Sequence, residues 1–164
     1  MTLKKILIAN RGEIAIRIAR AASDLNIGTV SIYSNDDFSS LHIQATDETF
    51  PLSGNGVSAY LDIDKVMRIA KESGADSIHP GYGFLAENPE FAKRCQEEGI
   101  IFIGPNVEML ELFGDKGRAR LAAKNSKIPT PSGLEGPITI ESATEFFSTL
   151  PEGSRMMLKA IGGA

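Results

Sequence analysis

The segment HPGYGFLAEN, residues 79–88, contains the densest group of residues suited to binding a ligand. Gly81 and Gly83 leave room for backbone N–H groups to approach a ligand closely. Tyr82 offers an aromatic face and a hydroxyl group, and Glu87 offers a carboxylate. The alternative is a turn with a capping carboxylate and a buried aromatic ring. The pattern favours a ligand-binding loop over that alternative.

A second group lies at Lys159, which follows the apolar run Met156-Met157-Leu158 and precedes Gly162 and Gly163. A lysine at the exit of a buried strand is uncommon unless its charge meets an anion. A glycine-rich loop beside it supplies N–H groups that fold over phosphate oxygens. The pattern lacks the G-x-x-x-x-G-K-[ST] order of a Walker loop, so by itself it is a weak indication of a polyphosphate site.

Lys116 stands in the first turn of a predicted helix that begins at the sequence DKG. The helix dipole favours anions at this end, so a lysine here carries a small cost that a ligand would explain. Taken alone, a solvated lysine explains the residue better than a binding role.

The first predicted turn between a strand and a helix, residues 10–13 (NRGE), has one glycine instead of the G-x-G-x-x-G pattern of dinucleotide sites. Glu13 puts a carboxylate where a pyrophosphate would lie, so direct NAD binding is not expected. His79 is more typical of a hydrogen-bonded structural residue than of a ligand. His42 is the only other histidine, so no histidine-rich metal site is predicted.

The composition excludes several classes of protein. The 164 residues carry a net charge of −4 with scattered basic residues, which argues against nucleic-acid binding. No apolar run reaches the roughly 18 residues of a membrane span. The run at residues 6–9 is shorter than the apolar core of a signal peptide. Cys95, the only cysteine, predicts a packing role, and the expected location is cytoplasmic.

Apolar runs and helical patterns alternate along the first part of the chain. This alternation predicts an α/β fold, an open and mostly parallel sheet with flanking helices, similar to a Rossmann sheet. In the first helix the predicted apolar stripe is Ile14, Ile18, Ala22 and Leu25. The predicted strands are residues 5–9, 29–33, 49–52, 76–79 and 100–103, and the predicted helices are residues 12–25, 62–72 and 89–98. Gly74 is a predicted left-handed C-terminal cap of the second helix, and Asn88 a predicted N-cap of the third.

After residue 105 the alternation stops. Residues 106–113 and 115–124 predict a helical hairpin, and PTPS at residues 129–132 predicts a stiff linker. One more helix, residues 140–150, and a last strand, residues 154–160, follow. The interpretation is a first domain at residues 1–105, a helical linker at 106–133, and the incomplete start of another unit at 134–164.

Together these segments closely resemble the N-terminal part of biotin carboxylase, the ATP-grasp component of biotin-dependent carboxylases. The motifs that carry the resemblance are IANRGEIAIRI at 8–18, HPGYGFLAEN at 79–88, FIGP at 102–105, GDKGRAR at 114–120 and LKAIGG at 158–163. The first domain is then expected to be the pre-ATP-grasp domain, and residues 134–164 the start of the lid subdomain.

The resemblance implies a ligase reaction in two steps. ATP and bicarbonate give carboxyphosphate and ADP in the presence of Mg²⁺, and the carboxyl group then passes to a ureido nitrogen of biotin. The implied partners are a biotin carboxyl carrier, a carboxyltransferase component and a second copy of the chain in a homodimer. The final carboxyl acceptor, as in acyl-CoA or pyruvate carboxylase, is not decided by this segment.

The resemblance also assigns roles to single residues. Lys116 and Lys159 match lysines that contact the nucleotide, and Gly162 and Gly163 match the start of the lid loop over its phosphates. Tyr82 and Gly83 match the loop beside the biotin and bicarbonate site, with Glu87 in the same loop. Arg20 and Asp24 match positions at the dimer interface, with a solvated helix pair as the alternative.

The match covers roughly the first third of a biotin carboxylase. Ile161 and Ala164 depart from the small residues usual in the lid, and Ile161 would stiffen it. The resemblance implies that catalytic groups and Mg²⁺ ligands lie beyond residue 164, so the chain alone is expected to be inactive. Two alternatives remain open, a non-catalytic dimerisation or regulatory module and another ATP-grasp ligase.

Overall fold

A computed structural model describes residues 2–134 and 136–159, which fall into two compact units. The first unit ends at Val107 and the second begins at Glu108. The first contains five strands: β1 (Lys5–Ile8), β2 (Gly28–Ser34), β3 (Glu48–Leu52), β4 (Ser77–His79) and β5 (Ile101–Phe102). Its helices are α1 (Gly12–Asp24), α2 (Gly56–Tyr60), α3 (Ile63–Ser73) and α4 (Pro89–Glu97).

The strands form one parallel sheet in the order β3-β2-β1-β4-β5. β1 lies in the middle, and Ile8 at its end is paired with Ser31 of β2 on one side and His79 of β4 on the other. The chain winds first toward β3 and then returns across β1 to β4. The topological switch point of the sheet therefore lies between β1 and β4, which confirms the predicted α/β class.

Side chains of β1 alternate between two cores because successive residues of a strand point to opposite faces. Leu7 belongs to the larger core together with Val66 of α3 and Phe91 of α4. Ile8 belongs to a smaller core with Ala15 and Ala19 of α1. Helices therefore cover both faces of the sheet.

The buried face of α1 differs from the predicted stripe. Ala15, Ala19 and Ala22 are buried, whereas Leu25 is 69% exposed. Small side chains let the helix backbone lie close to the sheet, so the alanines face inward. Leu25 comes directly after the last helical residue, where the chain has already turned away.

Two helix ends confirm their predicted signals. Gly74 follows α3 with φ +67°, a left-handed conformation that glycine adopts at little cost. The side chain of Asn88 accepts a hydrogen bond from the N–H of Phe91, and Pro89 occupies the first position of α4. Helix α2 was not predicted, because its five residues follow the polar loop SGNG and carry too little helical periodicity.

The second unit contains α5 from Glu108 onward (the helix spans Val107–Gly114), α6 (Lys116–Asn125) and α7 (Ile140–Ser148). They confirm the three helices predicted at 106–113, 115–124 and 140–150. The strand predicted at 154–160 is wrong for residues 154–159, which form no strand pairing. A strand needs a neighbour for its backbone groups, and residues 108–134 and 136–159 supply no other strand. No helix in the described part of the chain is long and apolar enough to span a membrane.

A buried carboxylate, Asp37, joins the end of β2 to α1 and α2. It is 4% exposed and accepts four side-chain hydrogen bonds, from Arg11 (2.7 Å), Tyr60 (2.8 Å), Ser40 (2.9 Å) and Ser34 (3.3 Å). Burial alone would raise the pKa of Asp37, but the hydrogen bonds from Tyr60, Ser40 and Arg11 outweigh it, so the pKa lies below its usual range. Burial of the Tyr60 hydroxyl and its hydrogen bond to Asp37 raise the pKa of Tyr60 to about 12.

We expect Asp37→Asn to destabilise the chain by about 2 kcal/mol at pH 7, because the hydrogen bonds to a charged acceptor weaken. A group whose folded-state pKa is lowered adds stability above its unfolded pKa of about 3.9, and that stability is lost as the pH falls further. The difference in free energy of unfolding between wild type and Asp37→Asn should therefore shrink as the pH falls from roughly 5 to roughly 3. Urea unfolding followed by circular dichroism measures it.

Glu97→Gln is the matched control, since it removes an exposed carboxylate 3.9 Å from its partner Lys93. It should change stability little at any pH. Equal pH dependence in wild type and Asp37→Asn would contradict the assigned role of Asp37.

Candidate functional site

The two loops that the sequence singled out in the first unit meet at the switch point of the sheet. β1 leads into Asn10 and Arg11, and β4 leads into Pro80 and Gly81. The N–H of Ala9 donates to the carbonyl of His79 over 2.9 Å, which continues the strand pairing up to the loops. Ligands of open parallel sheets bind in the crevice at this position.

Asn10 connects these two loops and is 1% exposed. Its Nδ2 donates to the carbonyl oxygens of Pro80 (2.7 Å) and Tyr82 (3.0 Å). Its Oδ1 accepts from the N–H of Arg11 at 2.9 Å. The amide orientation is unambiguous, because the first two partners can only accept and the third can only donate.

Residues after Gly83 fix the rest of the loop to the core. The ring of Phe84 stacks on Tyr60 at a centroid distance of 5.3 Å, and Leu85 is 1% exposed. Tyr82 in contrast is 70% exposed, and Glu87 is exposed as well. The predicted alternative of a buried aromatic is therefore wrong for Tyr82. The aromatic that packs against the core is the partly buried Phe84, two residues later, with φ +44°.

His79 has the structural role that the sequence predicted. Its Nδ1 accepts a hydrogen bond from the N–H of Gly81 at 3.0 Å, so that nitrogen carries no proton. Burial lowers the pKa of His79, which favours the neutral ring that this bond requires. His42 is fully buried, with Nε2 3.1 Å from the carbonyl of Ile32, and is far along the chain from these loops.

Lys116 and Lys159 line one cleft in the second unit, with a volume of about 710 Å³. Arg120 and Arg155 line the same cleft, and among the described lining residues Asp115 is the only acidic one. Asp115 caps α6, accepting from the N–H groups of Gly117 (2.8 Å) and Arg118 (3.0 Å). Much of the remaining wall is apolar: Leu134, Ile138, Phe146, Leu150, Met156, Met157 and Leu158.

Sequence reasoning missed Arg120 and Arg155 as members of this site. Arg120 lies one helical turn after Lys116, so the i,i+4 spacing was an available signal. Its Nη2 donates to the carbonyl of Pro131, and its guanidinium packs against Gly133, where a Cβ would lie 3.3 Å away. Arg120 thus joins α6 to the linker, which no local pattern in the sequence reveals.

Other predicted residues lie apart from these two regions or outside the described part. Gly162 and Gly163 are not among the described residues. Arg20 and Asp24 are exposed on α1. Within residues 2–134 and 136–159, no group of three or more histidine, cysteine or acidic side chains is arranged to hold a metal ion.

A family model and the sequences of known proteins place this chain in the same family. The family model described as "Biotin carboxylase, N-terminal domain" matches residues 2–110. The pyruvate carboxylase of Staphylococcus aureus is 50% identical over 98% of this chain, which spans 14% of that protein. The biotin carboxylase of Halalkalibacterium halodurans is 45% identical over 98% of this chain, which spans 35% of that protein.

Solved structures agree. The biotin carboxylase domain of a single-chain bacterial carboxylase has a TM-score of 0.86 and 47% identity, covering 88% of this chain and 34% of that one. A second structure is the biotin carboxylase domain dimer of Hydrogenobacter thermophilus 2-oxoglutarate carboxylase, in complex with MgADP, ADP and bicarbonate. It has a TM-score of 0.87 and 42% identity, and the match covers 90% of this chain and 33% of that one. The chain therefore belongs to the biotin carboxylase family and contains its N-terminal domain.

Proposed function

We propose that this chain supplies the N-terminal domain and part of the ATP site of a ligase that uses MgATP and bicarbonate to carboxylate biotin on a carrier. The observation that carries the proposal is the shared cleft of Lys116 and Lys159, in a chain whose residues 2–110 match the biotin carboxylase N-terminal model. The proposed domain limits are residues 1–105, 106–133 and 134–164.

The cleft of the second unit suits a nucleoside polyphosphate. Among the described lining residues, four cationic side chains and one carboxylate give a formal charge of +3, and that carboxylate already accepts two backbone N–H bonds. Cationic groups in a partly enclosed cleft attract phosphate oxygens. The apolar side chains, such as Phe146 and Leu158, offer a surface for a flat base. Lys116 and Lys159 are proposed to neutralise phosphate charge, with Gly162 and Gly163 closing over the phosphates.

In the first unit, Tyr82 and Gly83 are proposed to contact the biotin ring and the bicarbonate side of the site. Their support is the exposure of Tyr82 at a switch point, where ligands of such sheets bind. The hydroxyl and ring face of Tyr82 can bind a polar, compact heterocycle. The exposed Glu87 is proposed to hold a polar partner in the same loop.

The reaction also needs groups that the described residues do not supply. Mg²⁺ would offset the charge that develops on the phosphoryl oxygens during transfer. Lysines of this chain can bind and orient ATP, but a positioned base and metal ligands are required for turnover. The remaining length of the relatives is the proposed source of these groups.

The proposed assembly is a homodimer that meets at α1, in a cytoplasmic enzyme with a biotin carboxyl carrier and a carboxyltransferase component as partners. Arg20 and Asp24 are exposed on α1, which leaves their charges available to a second copy. The relative from Hydrogenobacter thermophilus is described as a domain dimer, which supports the proposal.

Activity should appear when this chain replaces the matching segment of the Halalkalibacterium halodurans biotin carboxylase. We expect the hybrid to release ADP from MgATP in a bicarbonate-dependent manner with free biotin present, since the replaced segment is 45% identical. The 164-residue chain alone should show no turnover although it is folded. Coupled ADP assays and circular dichroism measure both. A stable hybrid without activity, or turnover by the chain alone, would contradict the proposal.

In the hybrid, Lys116→Gln and Lys159→Gln should each raise KM for ATP roughly 10- to 100-fold, the effect of losing a charge-assisted hydrogen bond. Lys127→Gln is the matched control, because Lys127 is exposed and does not line the cleft. Initial rates at varied ATP concentration give these constants. Unchanged KM for ATP in both cleft variants would remove the two lysines from the nucleotide site.

Charge reversal on α1 tests the dimer. Arg20→Asp in the hybrid should weaken association about tenfold or more, because like charges would face each other across the interface. Arg17→Asp is the control on the same helix, where Arg17 is also exposed. Sedimentation velocity over a concentration series measures the dissociation constant. Equal constants for the two variants would exclude Arg20 from the interface.

A further inference from the structure

We infer that Asn10 is a positioning residue for the biotin side of the site, an inference that rests on the proposed function. Its role is to hold the backbone of residues 80–82 so that Tyr82 projects from the switch point in one orientation. Asn10 itself is buried and is not proposed to touch a substrate.

The hydrogen bonds of Asn10 define the backbone on both sides of Gly81. One Nδ2 group reaches the carbonyl before this glycine, on Pro80, and the carbonyl after it, on Tyr82. A single nitrogen that lies 2.7 Å from one carbonyl oxygen and 3.0 Å from the other requires the two oxygens to lie within 5.7 Å of each other (2.7 + 3.0). Two residues of an extended strand span about 6.6 Å, so the chain must bend between these carbonyls. Gly81 makes that bend with φ +69°, a left-handed conformation that other residues adopt at a cost.

Close packing enforces the same arrangement. A Cβ placed on Gly81 would lie 2.5 Å from Nδ2 of Asn10 and 2.8 Å from Cγ2 of Ile14. The loop backbone therefore rests directly on Asn10 and α1. The N–H of Gly81 also donates a hydrogen bond to Nδ1 of His79. Gly81 thus packs against the Asn10 side chain and is hydrogen-bonded to His79.

The remainder of the loop does not hold Tyr82 in this way. Phe84 and Leu85 pack into the core and fix the chain only after Gly83. An added Cβ on Gly83 would meet nothing within 4 Å, so this residue has open space around it. Of the described side chains, Asn10 makes the polar contact nearest to Tyr82 along the loop, at the Tyr82 carbonyl itself.

The sharpest test is Asn10→Asp, which keeps the shape and the bond from the Arg11 N–H. The second carboxylate oxygen would then face the two carbonyl oxygens in place of an N–H donor, so the loop should open. In the 164-residue chain, hydrogen exchange of the Gly81 amide should accelerate roughly tenfold or more, the effect of losing one to two hydrogen bonds. Amides of β1 and β2 should keep their protection.

In the hybrid enzyme, Asn10→Asp should raise KM for free biotin roughly tenfold and leave KM for ATP within about twofold. Asn55→Ala is the matched control, because Asn55 is exposed and its side chain caps no helix. It should change neither exchange at Gly81 nor either KM.

Each other outcome is informative. Faster exchange spread over the whole sheet with an unchanged KM for biotin would overturn the inference and leave Asn10 a purely stabilising residue. Unchanged exchange at Gly81 would overturn it as well. If the wild-type hybrid is inactive, the proposed function fails, and the exchange experiment still decides whether Asn10 holds the loop.

Discussion

The pairing of β1 with a strand on each side is the constraint on which the first unit depends. β1 is only four residues long, yet its backbone bonds to both β2 and β4, and its side chains enter both cores. A slip of one residue would exchange Leu7 and Ile8 between faces and remove both cores at once. It would also displace Asn10, which lies two residues after the strand and contacts the loop after β4. The register of the sheet thus sets the geometry of the candidate site.

Asp37 binds the cationic side chain of the first strand-to-helix turn, in a sheet that resembles nucleotide-binding folds. Arg11 has a charge that could bind an anionic ligand, but its guanidinium Nη2 lies 2.7 Å from Oδ1 of Asp37 and forms an ion pair with it. The side chain of Asp37 is nearly buried and receives further donors from Tyr60 and Ser40. A buried carboxylate keeps its partners because losing one leaves an uncompensated charge. The positive charge of Arg11 therefore stabilises the fold by pairing with Asp37.

The second unit has another character. Among its described residues only Leu110 and Ala143 are buried, and the apolar run Met157-Leu158 is largely exposed. Its cationic side chains stand on α6 and at Arg155 and Lys159, so they share the cleft although they are distant in sequence. The chain spans 14% of its pyruvate carboxylase relatives and about a third of a biotin carboxylase.

The sequence by itself determined the fold class, the helix ends and the family, because these depend on local periodicity, capping residues and contiguous motifs. It singled out Tyr82 from residue type and neighbours, whereas the nucleotide roles of Lys116 and Lys159 came from the family resemblance and stay predictions. It did not reveal the strand order, the alanine face of α1 or the absence of pairing at residues 154–159, since pairing requires a partner from elsewhere in the chain. Nor did it reveal Asn10 and Arg120, whose partners lie 70 and 11 residues away. Such long-range hydrogen bonds leave no periodic signal, and only the tertiary structure decides which buried amide or guanidinium meets which carbonyl.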